Sequence, residues 1–356
     1  MMISNRTVPQ SVVTEIHKPV DLSVVAIIAL HNGAEFIERS LTTVLSQTRP
    51  ADEILVIDDG STDDGPQIVE RMIADHPHAR LIHKENGGQS SARNLGVASS
   101  KSALIALLDQ DDGWYPDHLE KLLVPYEKGE HFRLGWVYSD LDRCDRYGRL
   151  HTTRMLRGMP ARHPKRTLTE CLSQDMFILP SASLISRTAF ESVGGFDERL
   201  SGYEDDDLFL RLFFAGWENV FLPKALSFWC IYPGSTSYSP RMSRSRRIYF
   251  QKLREMFRDD PMSGDLVGTV ITPRFIPYFI REDLASEKTG DVEAYRHLTE
   301  EAQSFLQTMQ WGRKRLVFEI YFLVRRVPFL RRLVSERRAL AIWRRVRGRI
   351  QEQPVR

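Results

Sequence analysis

The sequence predicts an α/β fold, an open and mostly parallel twisted sheet flanked by helices, followed by a helical C-terminal extension. Three observations lead there. Short apolar, β-branched runs (LSVVAIIAL at 22–30, EILVID at 53–58, ARLIHK at 79–84, ALIALL at 103–108) alternate with segments of helical spacing, the pattern of strand–helix–strand units. The first of them, 22–30, is of the kind that makes a strand buried on both faces. The polar clusters all follow the carboxyl ends of these runs, where open α/β sheets leave a ligand crevice.

Taken in order, residues 22–30 form the first strand. After His31-Asn32-Gly33 the spacing of Phe36, Ile37, Leu41, Val44 and Leu45 becomes helical and stops before Pro50. Strand 53–58 leads through the loop DGSTDDG to a helix from about Pro66, with Ile68, Val69, Met72 and Ile73 turned inward. Strand 79–84 leads through ENGGQSS to a helix from about Ser91, and the fourth run ends at Asp109. Beyond Pro116, HLEKLLVPYE reads as helix, GWVYSD and ILPSASLIS as strands, and GYEDDDLFLRLFFAG as a helix with an acidic head. From about Arg241 the chain reads as helical and arginine-rich. This divides it into an N-terminal extension (1–21), a catalytic unit (22–240, with halves of about 22–116 and 117–240) and a basic extension (241–356).

Composition narrows the function classes. At 356 residues and 42% hydrophobic content the chain can bury a sizeable core. Cys144, Cys171 and Cys230 form no CxxC pair and no even framework, so the expectation is a reducing cytoplasm without disulfides. The start lacks a signal-peptide pattern, and no run of about 18 apolar residues suggests a spanning helix. The net charge of +2 conceals an asymmetry: residues 309–356 hold 14 Lys and Arg against 3 Asp and Glu, net +11, leaving net −9 for the preceding 308. Arginines interleaved with Phe329, Leu330, Leu333, Trp343 and Val346 suit an amphipathic segment at an anionic membrane surface. A helix packed on the main unit is the alternative.

Three motifs carry chemistry. In LLDQDDGWYP, Asp109, Asp111 and Asp112 crowd the end of a buried strand; a divalent cation, Mn²⁺ or Mg²⁺, would relieve their repulsion and leave positions for phosphate oxygens. Helix capping alone is the plainer explanation. In VIDDGSTDDG, Asp58 and Asp59 could meet a base or a ribose, or could merely shape a turn. Arg93, behind the Gly87-Gly88 loop, could meet a nucleotide through its guanidinium, although neither GxGxxG nor GxxxxGK[ST] is present. In GYEDDDLFLR, capping accounts for two of Glu204, Asp205, Asp206 and Asp207. Four adjacent acids exceed that need, and mutual repulsion suits one of them to accept a proton.

The ordered set ALHNGAEFIERSLTTVLSQT, VIDDGSTD, NGGQSSARNLG, LLDQDDGWYP, GGFDERLSGYEDDDLFLRL and PGSTS resembles the family-2 glycosyltransferases of the GT-A fold, over about residues 22–237. The resemblance implies a Rossmann-like nucleotide-binding half and inverting, metal-dependent transfer from a nucleoside-diphosphate sugar, a UDP-sugar in the first place. The acceptor would be a saccharide or lipid-linked molecule, in cell-surface polysaccharide synthesis. By the same resemblance His31 and Asp59 meet the nucleotide base, Arg93 lies near the nucleotide, Asp109 and Asp111 are the metal-binding DXD pair with Asp112 beside them, and Asp205 is the base, supported by Glu204. The sequence departs from the pattern where the family often reads Arg-x-His before Pro-Gly-Ser: here Cys230-Ile231-Tyr232 precedes Pro233, which removes a histidine ligand that Tyr232 does not easily replace. His83, His118 and His163 have no partner spacing and read as surface or loop residues. The expectation is therefore a cytoplasmic enzyme at the inner membrane face, binding no nucleic acid and with its oligomeric state open. The rivals are a non-catalytic nucleotide-sugar-binding subunit and a nucleotidyltransferase, the latter lacking its glycine-rich loop lysine in ALHNGAEF.

Overall fold

In the computed structural model, which describes residues 21–232, 240–258 and 265–289 with isolated positions between 306 and 323, the first four apolar runs become a parallel sheet. Strands β1 (Val24–Leu30), β2 (Glu53–Asp59), β3 (Ala79–Lys84) and β4 (Leu104–Asp109) lie in the order β3-β2-β1-β4, all parallel. Helices α1 (Ile37–Leu45), α2 (Gly65–Ile73) and α3 (Gln89–Ala98) connect them. Helix α1 buries Ile37, Ser40, Leu41 and Val44, one face of a 3.6-residue repeat. Helix α3 lies close on β1 because residue 96 is glycine: a Cβ there would come within 2.5 Å of the Ile27 Cγ2.

The second half turns the sheet antiparallel. After the two-residue β5 (Gly113–Trp114) and α4 (His118–Lys128) come β6 (Leu134–Cys144), β7 (Leu150–Thr152), α5 (Leu168–Leu172), β8 (Ser183–Ser186), α6 (Arg187–Ser192), α7 (Glu204–Phe214) and β9 (Glu218–Cys230). The order continues β4-β8-β6-β9-β5, with β8 antiparallel to both neighbours, β6 and β9 parallel, and β7 paired to β6. The run ILPSASLIS is strand only over its last four residues, because Pro180–Ala182 makes a 3₁₀ turn first.

Alternating strand residues feed two clusters, one per sheet face. Val24, Ala26 and Ile28 pack with α1 and α4; Val25, Ile27, Trp136 and Tyr138 pack with α3 and α7. The second cluster also holds Tyr249, Phe250, Leu253 and Phe257 of α8 (Pro240–Phe257), Phe275, Ile276 and Phe279 of α9 (Thr272–Thr289), and Leu306, Met309 and Phe318. The helical extension thus packs on the catalytic unit through at least Phe318. Among the described residues no helix is long and apolar enough to cross a membrane. The N-terminal extension up to residue 20, the PGSTS motif and the arginine-rich segments beyond residue 323 lie outside the described residues.

One expectation is overturned. Cys144 and Cys230 form a disulfide, with Cα atoms 4.6 Å apart. They are 86 residues apart in sequence, but the parallel pairing of β6 with β9 puts them in direct register at the strand ends. Only Cys171 is free, and it is buried. The cysteine argument for a reducing compartment therefore does not hold.

Candidate active site

The crevice follows from the register of the sheet. Strand ends at Leu30, Asp59, Lys84 and Asp109 share one edge, with Leu30 opposite Asp58 and Asp59 opposite Lys84. Every loop that leaves this edge carries one of the polar motifs.

At the nucleotide side, His31 is exposed, its Nδ1 3.0 Å from the Asp59 carbonyl oxygen. Asp59 itself is buried and its carboxylate is already engaged: it accepts from Lys84 Nζ at 2.6 Å and from the Gly87 and Gly88 N–H groups at 2.8 and 2.7 Å. Burial acts against ionisation, but Lys84 and these two N–H groups hold the carboxyl below its ordinary range. Asp59 thus fastens the Gly-Gly loop, which Gly88 permits by its positive φ of 90°. Asp58 likewise is engaged by the Ser61 N–H at 3.0 Å and by His83 Nδ1 at 2.9 Å.

Arg93 does not face out toward a ligand; it is 2% exposed. Its guanidinium joins the two acidic motifs, with Nη2 on Asp109 Oδ1 and Nη1 3.2 Å from Glu204 Oε1. The guanidinium forms a buried bridge, which brings together residues 111 apart in sequence. Asp109 accepts in addition from Gln89 Nε2 at 2.7 Å. Asp111 receives the Tyr232 hydroxyl at 2.9 Å, and burial together with Asp109 pushes its carboxyl up to about 6. Asp112 is fully buried and accepts the Cys230 N–H at 3.0 Å; burial and its two acidic neighbours drive it well above the usual carboxylate range.

This chemistry fits a hard divalent cation. Asp109 and Asp111 present carboxylate oxygens, and the three crowded acids have an excess of negative charge that burial makes costly. No group of three or more His, Cys, Asp or Glu donors is assembled among the described residues. A cation on this pair would draw its other ligands from water or a diphosphate, as Mg²⁺ and Mn²⁺ sites do.

At the head of α7 the four acids separate by partner. Glu204 pairs with Arg93. Asp206 pairs with Arg274 at 2.6 Å and accepts the Met176 N–H at 2.8 Å; Asp207 pairs with Arg211 and Lys252, both at 2.7 Å. Asp205 has no ion-pair partner among the described residues and bonds only to the Asp206 N–H at 2.8 Å. Burial, then Glu204 and Asp206, raise its carboxyl well above the ordinary range. The turn into this helix is strained: Tyr203 sits at φ 62°, unusual for a residue with a side chain, and is held by stacking on Tyr249 at 5.5 Å.

Two models of the family match the chain: Glycosyl transferase family 2 over residues 25–194 and Glycosyltransferase like family 2 over residues 154–268. Between them they take in every element of the crevice. The chain belongs to glycosyltransferase family 2. Among curated relatives, the chondroitin synthase of Escherichia coli is 31% identical over 185 residues, 52% of this chain and 26% of that protein. The hyaluronan synthase of Pasteurella multocida is 28% identical over 185 residues, 52% of this chain and 18% of that protein. The match thus spans about a quarter or less of these relatives. Staphylococcus aureus TarS 1–349, solved with UDP-GlcNAc, superposes with a TM-score of 0.60 at 18% identity over 81% of this chain and 82% of its own. Mannosyltransferase PcManGT of Pyrobaculum calidifontis, solved with GDP-Man and Mn²⁺, gives 0.51 at 19% identity over 95% and 92%. The fold is that of the GT-A glycosyltransferases.

Sequence reasoning missed several residues that shape this family-2 site. Lys84 closes β3 as a partner for Asp59, and Gln110 Oε1 accepts the His31 N–H at 2.8 Å. Tyr232, discounted above, stacks on Phe36 at 5.2 Å and reaches Asp111. Trp114 is a core residue: it stacks on His118 at 4.5 Å and donates to the Ser181 carbonyl at 2.8 Å. Among the histidines, His118 is fully buried at the start of α4, which lowers it to about 3, and is not the surface or loop residue expected, whereas His163 is a half-buried loop residue bonded to the Tyr138 hydroxyl at 2.9 Å.

Proposed function

We propose that this glycosyltransferase moves a sugar, with inversion, from a nucleoside-diphosphate sugar, in the first place a UDP-sugar, to a hydroxyl of a saccharide or lipid-linked acceptor. The observation that carries the reading is the isolation of Asp205. Of four adjacent acids it alone lacks an ion-pair partner among the described residues, and burial and like charge raise its proton affinity, as suits a general base. Asp205 takes the proton of the acceptor hydroxyl as that oxygen attacks the anomeric carbon; the bond to the diphosphate oxygen breaks with its electron pair. Attack from the face opposite the leaving group inverts the centre. Glu204 and Asp109 are held together by Arg93, which fixes the base helix relative to the donor side.

Asp109 and Asp111 would hold the divalent cation, which supplies charge stabilisation to the departing diphosphate. His31, exposed at the end of β1, would meet the base together with Asp59, whose bond from the Gly87 N–H holds the neighbouring loop. The relatives' names point toward polysaccharide synthesis, and the basic stretch 309–356 toward an anionic membrane surface. The test is to incubate the full chain with a panel of nucleotide sugars and Mn²⁺ and to measure nucleoside diphosphate release. Release by the native chain and not by Asp205→Asn supports the reading. No release with any sugar, with or without acceptor mixtures, refutes it.

A further inference from the structure

Beyond the crevice, a cavity of about 510 Å³ opens between β6, the segment 154–163 and β9, a volume typical of small-molecule sites. Its position is set by the register. Ala106, Leu184 and Val137 are level across β4, β8 and β6, so Asp140 stands level with Asp109 two strands away, about 10 Å at ordinary strand spacing. Tyr138 and Phe221, whose rings are 5.2 Å apart, lie on the face that carries α7. The cavity is therefore about two sugar rings from the acids of the crevice and on the side of the proposed base.

Its lining is built in an unusual way. Asp140, 2% exposed, spends its carboxylate on backbone N–H groups: Leu141 and Leu156, both at 2.8 Å, and Arg157 at 3.3 Å. Asp142 accepts the Arg154 N–H at 2.8 Å and the Tyr115 hydroxyl at 2.7 Å. Two buried carboxylates thus pin the main chain of Arg154 and Arg157, while the guanidinium groups of both arginines have no ion pair or hydrogen bond among the described residues. Arg154 is held at φ 49°, a conformation that disfavours side chains and persists only where surroundings enforce it. His163 completes the wall: its Nδ1 is engaged by Tyr138, its buried Nε2 has no partner, and its ring lies 5.0 Å from Phe221. Two exposed, unpaired guanidiniums carried on a pinned main chain, beside an aromatic ring and a free imidazole nitrogen, suit a planar or tetrahedral anion attached to a less polar body.

We propose that this cavity binds an anionic group, a phosphate or a carboxylate, between Arg154 and Arg157, with Phe221 against the body that carries it. That the group belongs to the acceptor rests on the glycosyl-transfer reading above; the binding itself does not. The experiment is thermal denaturation of the full chain, with neither donor nor acceptor, titrated at constant ionic strength with inorganic phosphate, with glucuronate and with glucose. The native chain should be stabilised by millimolar concentrations of at least one anion and not by glucose. Arg154→Gln/Arg157→Gln should need at least tenfold more anion for the same shift. Stabilisation by phosphate alone assigns a phosphate-bearing ligand, and by glucuronate alone a uronic acid. Equal response of native and variant chains, or no response of the native chain to either anion, overturns the proposal. Should the double variant fail to fold, Arg157→Gln and Arg157→Lys are compared: weakened binding in the first with recovery in the second supports the site, and unchanged binding in both overturns it. Absent anion binding alongside intact diphosphate release refutes the cavity alone; anion binding without any transfer refutes only its link to the acceptor.

Discussion

Three adjacent aspartates at the head of α7 should answer the same substitution in three different ways. Asp206→Asn removes the charge that Arg274 faces at 2.6 Å, in a guanidinium 2% exposed. Breaking one side of a buried pair costs about 3–5 kcal/mol. Asp175, 2.8 Å from the same guanidinium, and the retained bond from Met176 N–H soften this, so about 2–3 kcal/mol is expected. Asp207→Asn uncouples Arg211 and Lys252, which remain partly solvated, and should cost about 1–3 kcal/mol. Asp205→Asn removes a carboxylate that burial and like charge disfavour, so stability at pH 7 should hold or rise while turnover falls about 10²–10⁴-fold. Denaturant melts give the first quantity and diphosphate release the second. The pH dependence follows with a definite sign. The base works only when deprotonated and its carboxyl is raised in the folded chain, so turnover should fail on the acid side at a higher pH than an ordinary aspartate would set. The same group disfavours the folded state as pH rises through that value, so Asp205→Asn should flatten the stability curve there. An active Asp205→Asn beside a dead Asp206→Asn or Asp207→Asn would refute the assignment.

Asp109→Ala and Asp111→Ala should each lower transfer by orders of magnitude with the fold retained, and EDTA should do the same to the native chain; full activity in EDTA rules out the cation. Arg93→Met leaves Asp109 and Glu204 facing each other without a cation and should cost about 3 kcal/mol, partly recovered when Glu204→Gln is added; additivity of the two would show that the bridge is incidental. Cutting the chain before Arg325 removes 11 of the 14 basic residues of the last 48 but keeps Met309 and Phe318 in the core. It should abolish salt-sensitive flotation with anionic vesicles at unchanged stability, whereas cutting before Met309 should also lower stability by about 2–4 kcal/mol through the two lost side chains. Unchanged flotation after either cut removes the membrane reading.

The half built on β1 to β4 was legible because its strands are short runs closed by polar residues, and helices α1 and α2 repeat their apolar residues at 3.6. Strand β9 was not: ENVFLPKALSFWC carries Pro223 and Lys224 mid-strand, and its pairing with β6 is interrupted by register shifts at Ser139 and Asp140. The acids of the crevice could be located from sequence, but their division of labour could not. What singles out Asp205 is the arrival of Arg274 and Lys252 at its neighbours, from helices 68 and 45 residues downstream. Asp59 was ambiguous for a similar reason: a strand-end carboxylate looks equally apt for a ligand or for loop N–H groups, and its bonds to the Gly87-Gly88 turn are visible only in the fold. For Cys144 and Cys230 the sole clue was that each closes a strand, which says nothing until the two strands are known to be parallel neighbours.

That crosslink has a topological effect. It joins the ends of β6 and β9 across 86 residues, and everything between them, including the 154–163 segment and the whole of α7, becomes one closed covalent ring. The donor-side strands β1 to β4 stay outside it. A ring of that size loses about 4–5 kcal/mol of unfolded-chain entropy in the polymer description, so oxidation stabilises the stretch from Cys144 to Cys230 against unfolding. Strands β1 to β4 are left as an ordinary linear chain, and the two sides of one crevice come to differ in how their unfolding is constrained.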